Sequence, residues 1–117
     1  MDRERYGEAA PLLGQAARLT LSYDNVFNAA VAYRQAGDLD LAEELYRQTV
    51  KIRPMEAGSH LNLGAMLHLR GKLVEAEQCY LKAWNLNPGD SSTKINIQRL
   101  HKAMRKKNLP ISKVIDF

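Results

Sequence analysis

The sequence has very little cysteine and no long hydrophobic run. Cys79 is the only cysteine among 117 residues, which excludes an internal disulfide and a zinc site built from cysteines. No apolar stretch approaches the roughly 20 residues that a membrane-spanning helix needs. We therefore expect no membrane segment in this chain, and the sequence gives no address for a compartment.

Catalytic and metal-binding patterns are missing as well. There is no glycine-rich phosphate loop and no Ser/His/Asp arrangement that a fold would bring together. The three histidines have neither an HExxH context nor cysteine partners, so solvated or half-buried side chains are expected at His60, His68 and His101. We expect no catalytic residue, no metal and no cofactor in this chain.

The charge is distributed unevenly along the chain. Residues 1–58 hold 7 Lys/Arg against 9 Asp/Glu, a net charge of −2, and residues 59–117 hold 10 against 4, a net charge of +6. This asymmetry indicates an acidic partner or a solvated end cap. Nucleic-acid binding is a minor alternative, because no aromatic residues interleave the basic side chains Lys94, Arg99, Lys102, Arg105, Lys106 and Lys107.

A shift of the sequence by 34 residues brings similar residues into line. The aligned pairs are Gly37 with Gly71, Leu39 with Leu73, Ala42 with Ala76, Glu43 with Glu77, Tyr46 with Tyr80 and Pro54 with Pro88. So many matches at one offset indicate an internal repeat. The paired glycines predict tight turns, and the paired prolines predict helix ends.

A 34-residue period that contains two helices resembles the tetratricopeptide repeat, and the aligned residues match that family's motif. The resemblance implies an all-α helical-hairpin solenoid, with two full repeats between a partial repeat helix and a C-terminal capping helix. The residue types suit this packing. Ala30 and Gly64 leave room for the partner helix, while Tyr46 and Tyr80 are large enough to fill space between neighbouring pairs.

We predict one domain of this type over residues 1–117. Its expected segments are a second-helix-like partial repeat (1–22), a first repeat (23–56), a second repeat (57–90), a capping helix (91–107) and a tail (108–117). The expected helices are 24–36, 39–52, 58–70, 73–86 and 91–106, with Asp90 as the N-cap of the last. The apolar tail residues are expected to cover the exposed face of the last repeat, with occupation of a groove, their own or a neighbour's, as the alternative: Leu109, Ile111, Val114, Ile115 and Phe117.

The first segment indicates that further repeats precede it. The run GEAAPLLGQAARLTL reads like a second helix, with Ala9, Leu13, Ala16 and Leu19 echoing later positions at a spacing of 33. Stacked repeats bury each other's apolar faces, so a chain that opens halfway through a repeat should expose one. We therefore expect a larger parent protein or self-association through exposed terminal helices. A structural assembly scaffold is accordingly an alternative function.

In the tetratricopeptide fold the first helices of successive repeats line a concave groove. Asn28, Asn62 and Asn96 recur 34 residues apart in these helices. Each carboxamide offers a donor and an acceptor, which match one peptide unit. Neighbouring helices pack about 8–10 Å apart and an extended peptide advances about 3.3 Å per residue, so the asparagines would grip a peptide backbone every few residues.

The predicted groove includes the neighbouring residues on the same face. Its full set is Asn28, Asn62, Asn96, Phe27, Val31, Arg34, Leu61, Ala65, His68, Leu69, Ile95, Arg99 and Lys102. This mixed surface suits a protein or an extended peptide segment. It differs from the clamp that binds the carboxylate of chaperone tails. Phe27 and Val31 replace the Lys and Asn of that clamp, Ser92 and Asn96 replace its cations, and only Asn62 fits.

Two narrower resemblances bear on function. The three asparagines resemble the asparagine ladder in the repeats of the cytosolic O-linked N-acetylglucosamine transferase, which supports the groove. The run LNLGAMLHLRGKLVEAE, residues 61–77, looks like the C-terminal repeats of the transmembrane and tetratricopeptide-containing O-mannosyltransferases. That resemblance implies a substrate-recognition role in the endoplasmic reticulum lumen, beside a membrane-embedded catalytic part. Without it, a cytoplasmic location is expected.

Overall fold

A computed structural model describes residues 22–115. The chain divides between Pro54 and Met55 into two compact units, called here the N-terminal unit and the C-terminal unit. The helices are α1 (Tyr23–Ala36) and α2 (Leu39–Ile52) in the first unit, then α3 (Ala57–Leu69), α4 (Leu73–Leu86) and α5 (Ser91–Lys106) in the second. Every regular element in this range is a helix, which confirms the predicted all-α class. Each observed helix end lies within one residue of the predicted end.

Each helix pair turns at a glycine in the left-handed conformation. Gly37 has φ 85° and Gly71 has φ 77°. The Gly37 N–H donates to the Arg34 carbonyl at 3.0 Å, and the next N–H, of Asp38, donates to the Tyr33 carbonyl at 2.9 Å. The same two bonds recur at Gly71, so both first helices end in a Schellman motif. A side chain at this φ would cost roughly 1–2 kcal/mol, which explains the glycines.

In the N-terminal unit α1 packs directly against α2. The apolar side chains buried in this unit are Val26, Ala29, Ala30, Ala32, Tyr33, Ala42, Leu45 and Tyr46. Ala30, which was predicted to leave room for the partner helix, and Ala42 both have no exposed surface, so the two helix backbones lie close together. The ring of Tyr46 meets the ring of Phe27 edge to face, with centroids 6.2 Å apart, and so fills space within its own helix pair.

In the C-terminal unit α4 packs against both α3 and α5, and α3 also touches α5. The buried apolar side chains are Leu63, Met66, Leu67, Leu73, Ala76, Tyr80, Ala83, Ile97, Leu100 and Met104. As predicted, Asp90 caps α5, accepting from the Thr93 N–H at 2.9 Å and the Thr93 hydroxyl at 2.8 Å. These bonds lower the pKa of Asp90. Asn108, with φ 56°, ends α5.

Two predictions fall partly outside the described range. The second-helix-like segment 1–22 lies outside it except for Ser22, and the proposed domain boundaries stay a prediction. In the tail, Leu109, Ile111 and Ile115 are half-buried, whereas Val114 is 70% exposed. Val114 therefore does not cover the last repeat as expected, and Phe117 lies outside the described residues.

Candidate functional site

The close approach of α3 to α4 depends on Gly64. A Cβ atom added at Gly64 would lie 2.6 Å from two ring carbons of Tyr80 and 3.2 Å from the Cβ of Cys79. These distances are shorter than a carbon–carbon contact allows, so the Tyr80 ring rests on the backbone of α3. The position predicted to be small is therefore filled by the partner helix's aromatic ring.

The Tyr80 ring also contributes to an open pocket between α3 and α5. This pocket has a volume of about 330 Å³, and its lining residues are Ala65, His68, Leu69, Tyr80, Asn96 and Arg99. All except Tyr80 belong to the predicted groove. From the sequence, Tyr80 was assigned only a packing role. A large side chain where two helices cross can also line a pocket, and this could have suggested its second role.

The remaining predicted residues of the C-terminal unit do not line this pocket. Leu61 and Asn62 on α3 are half-buried, while Ile95 and Lys102 on α5 are exposed, Ile95 by 46%. Leu69, which does line it, is 62% exposed. Two large apolar side chains thus remain in water on the first helices of this unit.

The predicted residues of the N-terminal unit all lie on α1. Asn28 and Arg34 are exposed, and Phe27 and Val31 are half-buried. The Phe27 ring stacks on Tyr23 at 6.2 Å, and the Arg53 guanidinium lies 4.0 Å above the Tyr23 ring. Phe27 is therefore partly committed to an aromatic cluster that the sequence analysis missed.

The three repeated asparagines share one property. Asn28 is exposed, and Asn62 and Asn96 are half-buried. None of their carboxamides makes a hydrogen bond to another residue in the described range. Local capping or bridging of the backbone by these side chains is therefore not seen. Their donors and acceptors are available to a ligand.

The pocket region has a positive electrostatic character. Neither α3 nor α5 contains an aspartate or a glutamate. Arg99 and Lys102 are exposed on α5. Burial, followed by the neighbouring Cys79, raises the pKa of Tyr80 to about 12. The phenol at the pocket floor is therefore neutral at physiological pH and adds no negative charge.

A buried polar cluster formed by α4, α5 and the tail was not predicted. Glu77 on α4 is 1% exposed and lies 2.8 Å from Nε2 of His101, which is 5% exposed. The Ser112 hydroxyl donates to Glu77 Oε1 at 2.6 Å, and the Ser112 N–H donates to the same carboxylate at 3.2 Å. We call these three residues the Glu77 cluster. It ties the tail to α4 and α5.

The sequence did carry a signal for this cluster. His101 stands where the two preceding repeats have Tyr33 and Leu67, both buried, so its imidazole should have been expected inside. The expectation of solvated or half-buried histidines is wrong for His101 and His60, which are both buried, and correct for His68. The buried imidazole of His101 is compensated by the facing carboxylate.

The Glu77 cluster is not arranged for nucleophilic catalysis. The Ser112 hydroxyl donates to the Glu77 carboxylate and not to the His101 imidazole, so the serine–histidine hydrogen bond of a Ser/His/Asp site is not formed. Within residues 22–115, no group of three His, Cys, Asp or Glu side chains could hold a metal ion. In the same range no helix is long and apolar enough to cross a membrane.

Comparison of the sequence with known protein families agrees with the repeat pattern, the helix pairs and the small-residue contacts described above. A family model described as Tetratricopeptide repeat matches residues 1–54 and 27–91. The chain belongs to the tetratricopeptide repeat family. The fold expected from the 34-residue period is thereby confirmed.

A relative and two solved structures illustrate what the chain resembles. Human Protein O-mannosyl-transferase TMTC2 is 41% identical over 85 residues, which are 73% of this chain and 10% of that protein. The chain thus spans about a tenth of this relative.

Both solved structures are tetratricopeptide domains. The Sgt2 TPR domain from Aspergillus fumigatus has a TM-score of 0.74 at 21% identity, covering 97% of this chain and 80% of that one. The first TPR of Spaghetti (RPAP3), bound to the HSP90 peptide SRMEEVD, has a TM-score of 0.73 at 19% identity, covering 87% and 82%. At these identities the likeness shows a shared fold.

Proposed function

We propose that this chain is a non-catalytic module that binds an extended peptide or protein segment along its first helices. Asn28, Asn62 and Asn96 would hold the peptide backbone. The observation that supports this most is that three carboxamides at one phase of the repeat, one exposed and two half-buried, all lack hydrogen-bond partners among the described residues. In the tetratricopeptide fold, that phase belongs to the groove.

The energetics suit a binder with little preference for side chains. Each hydrogen bond that replaces water contributes only about 0.5–1.5 kcal/mol net. Three carboxamides that each donate and accept would therefore contribute several kcal/mol, part of which offsets the ordering of the peptide. Because these bonds go to peptide units, they would operate on many sequences. Selectivity would have to come from side chains beside the asparagines.

The solved structure with an HSP90 peptide shows that this fold can hold a peptide. The present chain differs at the positions of the carboxylate clamp, with Phe27, Val31, Ser92 and Asn96 instead of its usual polar and cationic residues. We therefore propose internal, extended segments as ligands in place of the free C-terminus of a chaperone.

We further propose that the module recognises substrate for an O-mannosyltransferase carried elsewhere in a longer parent protein. The 41% identity to a segment of human TMTC2 supports this role. In that case the module would lie in the lumen of the endoplasmic reticulum. It would position an extended acceptor for a catalytic part that these residues do not contain.

Selection from a phage-displayed library of random ten-residue peptides tests the proposal. The chain should enrich peptides, and the Asn28→Ala/Asn62→Ala/Asn96→Ala variant should bind them at least about tenfold more weakly, because three pairs of hydrogen bonds are lost. Asn85→Ala is the matched control, since Asn85 is exposed on the second helix α4. Far-UV circular dichroism should show unchanged helicity in both variants.

Equal peptide binding by the triple variant and the wild type would refute the asparagine role. A chain that captures no peptide, but sediments as an oligomer whose size depends on concentration, would favour the assembly scaffold. Capture of nucleic acid that weakens steeply with salt would favour the basic helix as the binding element.

A further inference from the structure

We infer that the pocket in the C-terminal unit selects peptides with an acidic side chain two residues from an apolar one. This inference rests on the proposed peptide binding and names the ligand class. It is carried by the juxtaposition, within one pocket, of an apolar surface, a carboxamide and an unpaired guanidinium: Leu69, Asn96 and Arg99.

The apolar subsite is formed by Ala65 and Leu69 above the ring of Tyr80. Leu69 is 62% exposed, so its side chain can be contacted by a ligand. A volume of about 330 Å³ is enough for one apolar side chain and part of the adjoining backbone. Because insertion removes the exposed side chains of Ala65 and Leu69 from water, the hydrophobic effect favours an apolar residue there.

The cationic subsite is Arg99, on the opposite wall of the same pocket. Arg99 is exposed and makes no ion pair within residues 22–115. Lys102 lies one turn further along α5 and is also exposed. Because α3 and α5 contain no acidic residue, no carboxylate on either helix competes for Arg99. The planar guanidinium can donate two parallel hydrogen bonds to a carboxylate.

The spacing follows from the geometry of an extended chain. Asn96, one turn before Arg99 on α5, also lines the pocket, where it would hold the peptide backbone. Alternate side chains of an extended peptide point to the same side, so residues i and i+2 would both face the pocket. The peptide should therefore place its apolar side chain on Leu69 and its carboxylate on Arg99, with one residue between them pointing away.

Among the described residues, the chain's own tail does not occupy the pocket. Ser112 holds the tail to Glu77 on α4, and no residue of the tail lines the pocket. A nucleic acid fits less well than a peptide, because the pocket has an apolar floor and a single lining arginine. Charge complementarity together with the apolar floor thus favours an acidic, partly apolar peptide segment.

The test uses the random ten-residue phage library and the peptides that it yields. The whole chain should enrich peptides with Asp or Glu two residues from Leu, Ile, Val, Met or Phe. In the best binder, replacing the acid by its amide should weaken binding to the wild-type chain about 3–5-fold, as expected for a partly exposed ion pair. Against Arg99→Gln the same replacement should change binding less than 1.5-fold.

Arg105→Gln is the matched control, because Arg105 is exposed on α5 and does not line the pocket. It should show the full wild-type response to the amide peptide. Two results would overturn this inference and leave the proposed function standing. One is enrichment of peptides that lack the acidic and apolar pair. The other is an equal loss of affinity for the amide peptide in Arg99→Gln and in the wild type. Failure to enrich any peptide would overturn both. A competition experiment gives a further check. If a random RNA displaces the bound best peptide at a lower concentration than unlabelled peptide does, the inference is also overturned.

Discussion

Two glutamates at the same repeat position behave differently in the two units. Glu43 and Glu77 are 34 residues apart, and both are buried. Glu43 receives two hydrogen bonds from Arg47, one turn later on its own helix. Glu77 has Leu81 at the corresponding position and is paired instead with His101 on α5 and Ser112 in the tail. The repeat fixes where the carboxylate lies, and the local sequence decides what neutralises it.

The difference changes what each carboxylate does for stability. The Glu43–Arg47 ion pair joins two residues of α2, and the Arg47 side chain is 39% exposed, so solvent screens this pair. The pair in the C-terminal unit is withdrawn from water and joins three segments of the chain. Removing one partner of such a desolvated group leaves the others without compensation, which is costly.

The largest expected effect is therefore that of Glu77→Ala. We expect a loss of about 3 kcal/mol in the free energy of unfolding, because His101 and Ser112 are left without their acceptor. Glu43→Ala is the matched variant and should lose about 1 kcal/mol or less. Urea unfolding followed by circular dichroism measures both. Hydrogen exchange should rise in α4, α5 and the tail for Glu77→Ala, and in α1 and α2 for Glu43→Ala. Equal losses would contradict the contrast between the units.

A second contrast concerns the small residue of each first helix. The N-terminal unit accommodates the methyl group of Ala30, whereas the C-terminal unit has Tyr80 at the place of the missing methyl group of Gly64. Gly64→Ala should destabilise the chain by about 1–2 kcal/mol, because displacement of the buried ring outweighs the higher helix propensity of alanine.

Gly58→Ala on the same helix is the control for that experiment. No atom lies within 4 Å of a Cβ added at Gly58. Alanine there should stabilise the chain by about 0.5 kcal/mol through helix propensity alone. If thermal or urea unfolding shows that Gly64→Ala is stabilising as well, the tight contact between α3 and Tyr80 is not present in solution.

The helices were predictable because their signals are local and repeated. Turns and helix ends are marked within a few residues by Gly37, Gly71, Pro54 and Pro88. Each of these has a counterpart 34 residues away that supports the same interpretation. The Glu77 cluster was not predicted because its members are 24 and 35 residues apart and occur once. Only the departure of His101 from the repeat pattern pointed to it.

Part of the candidate site could be predicted from the sequence. The periodicity of the first helices predicted the face that includes Ala65, Leu69, Asn96 and Arg99, which line one pocket. The contribution of Tyr80 to that pocket was missed because it depends on how closely α3 approaches α4. Such a distance is set by packing and not by the pattern of one helix. Whether the thirteen residues bind a peptide together stays a prediction.

The smallest expected effect is a difference between Tyr80 and Tyr46 in how much each changes the stability of the chain at high pH. Burial raises the pKa of Tyr80 to about 12. Burial also raises the pKa of Tyr46, although the Arg34 charge opposes the rise. Because the folded chain holds the Tyr80 proton more tightly than the unfolded chain, its contribution to stability is complete below pH 10 and is lost as the pH rises toward 12.

Urea unfolding between pH 9 and pH 11.5 measures this effect. The wild-type chain should lose stability more steeply above pH 10 than the Tyr80→Phe variant, and Tyr46→Phe should differ from the wild type by less. Parallel pH profiles for the wild type and Tyr80→Phe would show that the Tyr80 hydroxyl is solvated in the folded chain.

The most direct test of the peptide-binding account is a nitrogen-15 NMR titration of the asparagine side chains with the best peptide from the library. Side-chain amide resonances of Asn28, Asn62 and Asn96 should shift together at one binding constant, while those of Asn85 and Asn87 on the second-helix side stay in place. Shifts confined to Asn85 and Asn87, or to the basic end of α5, would contradict binding along the first helices.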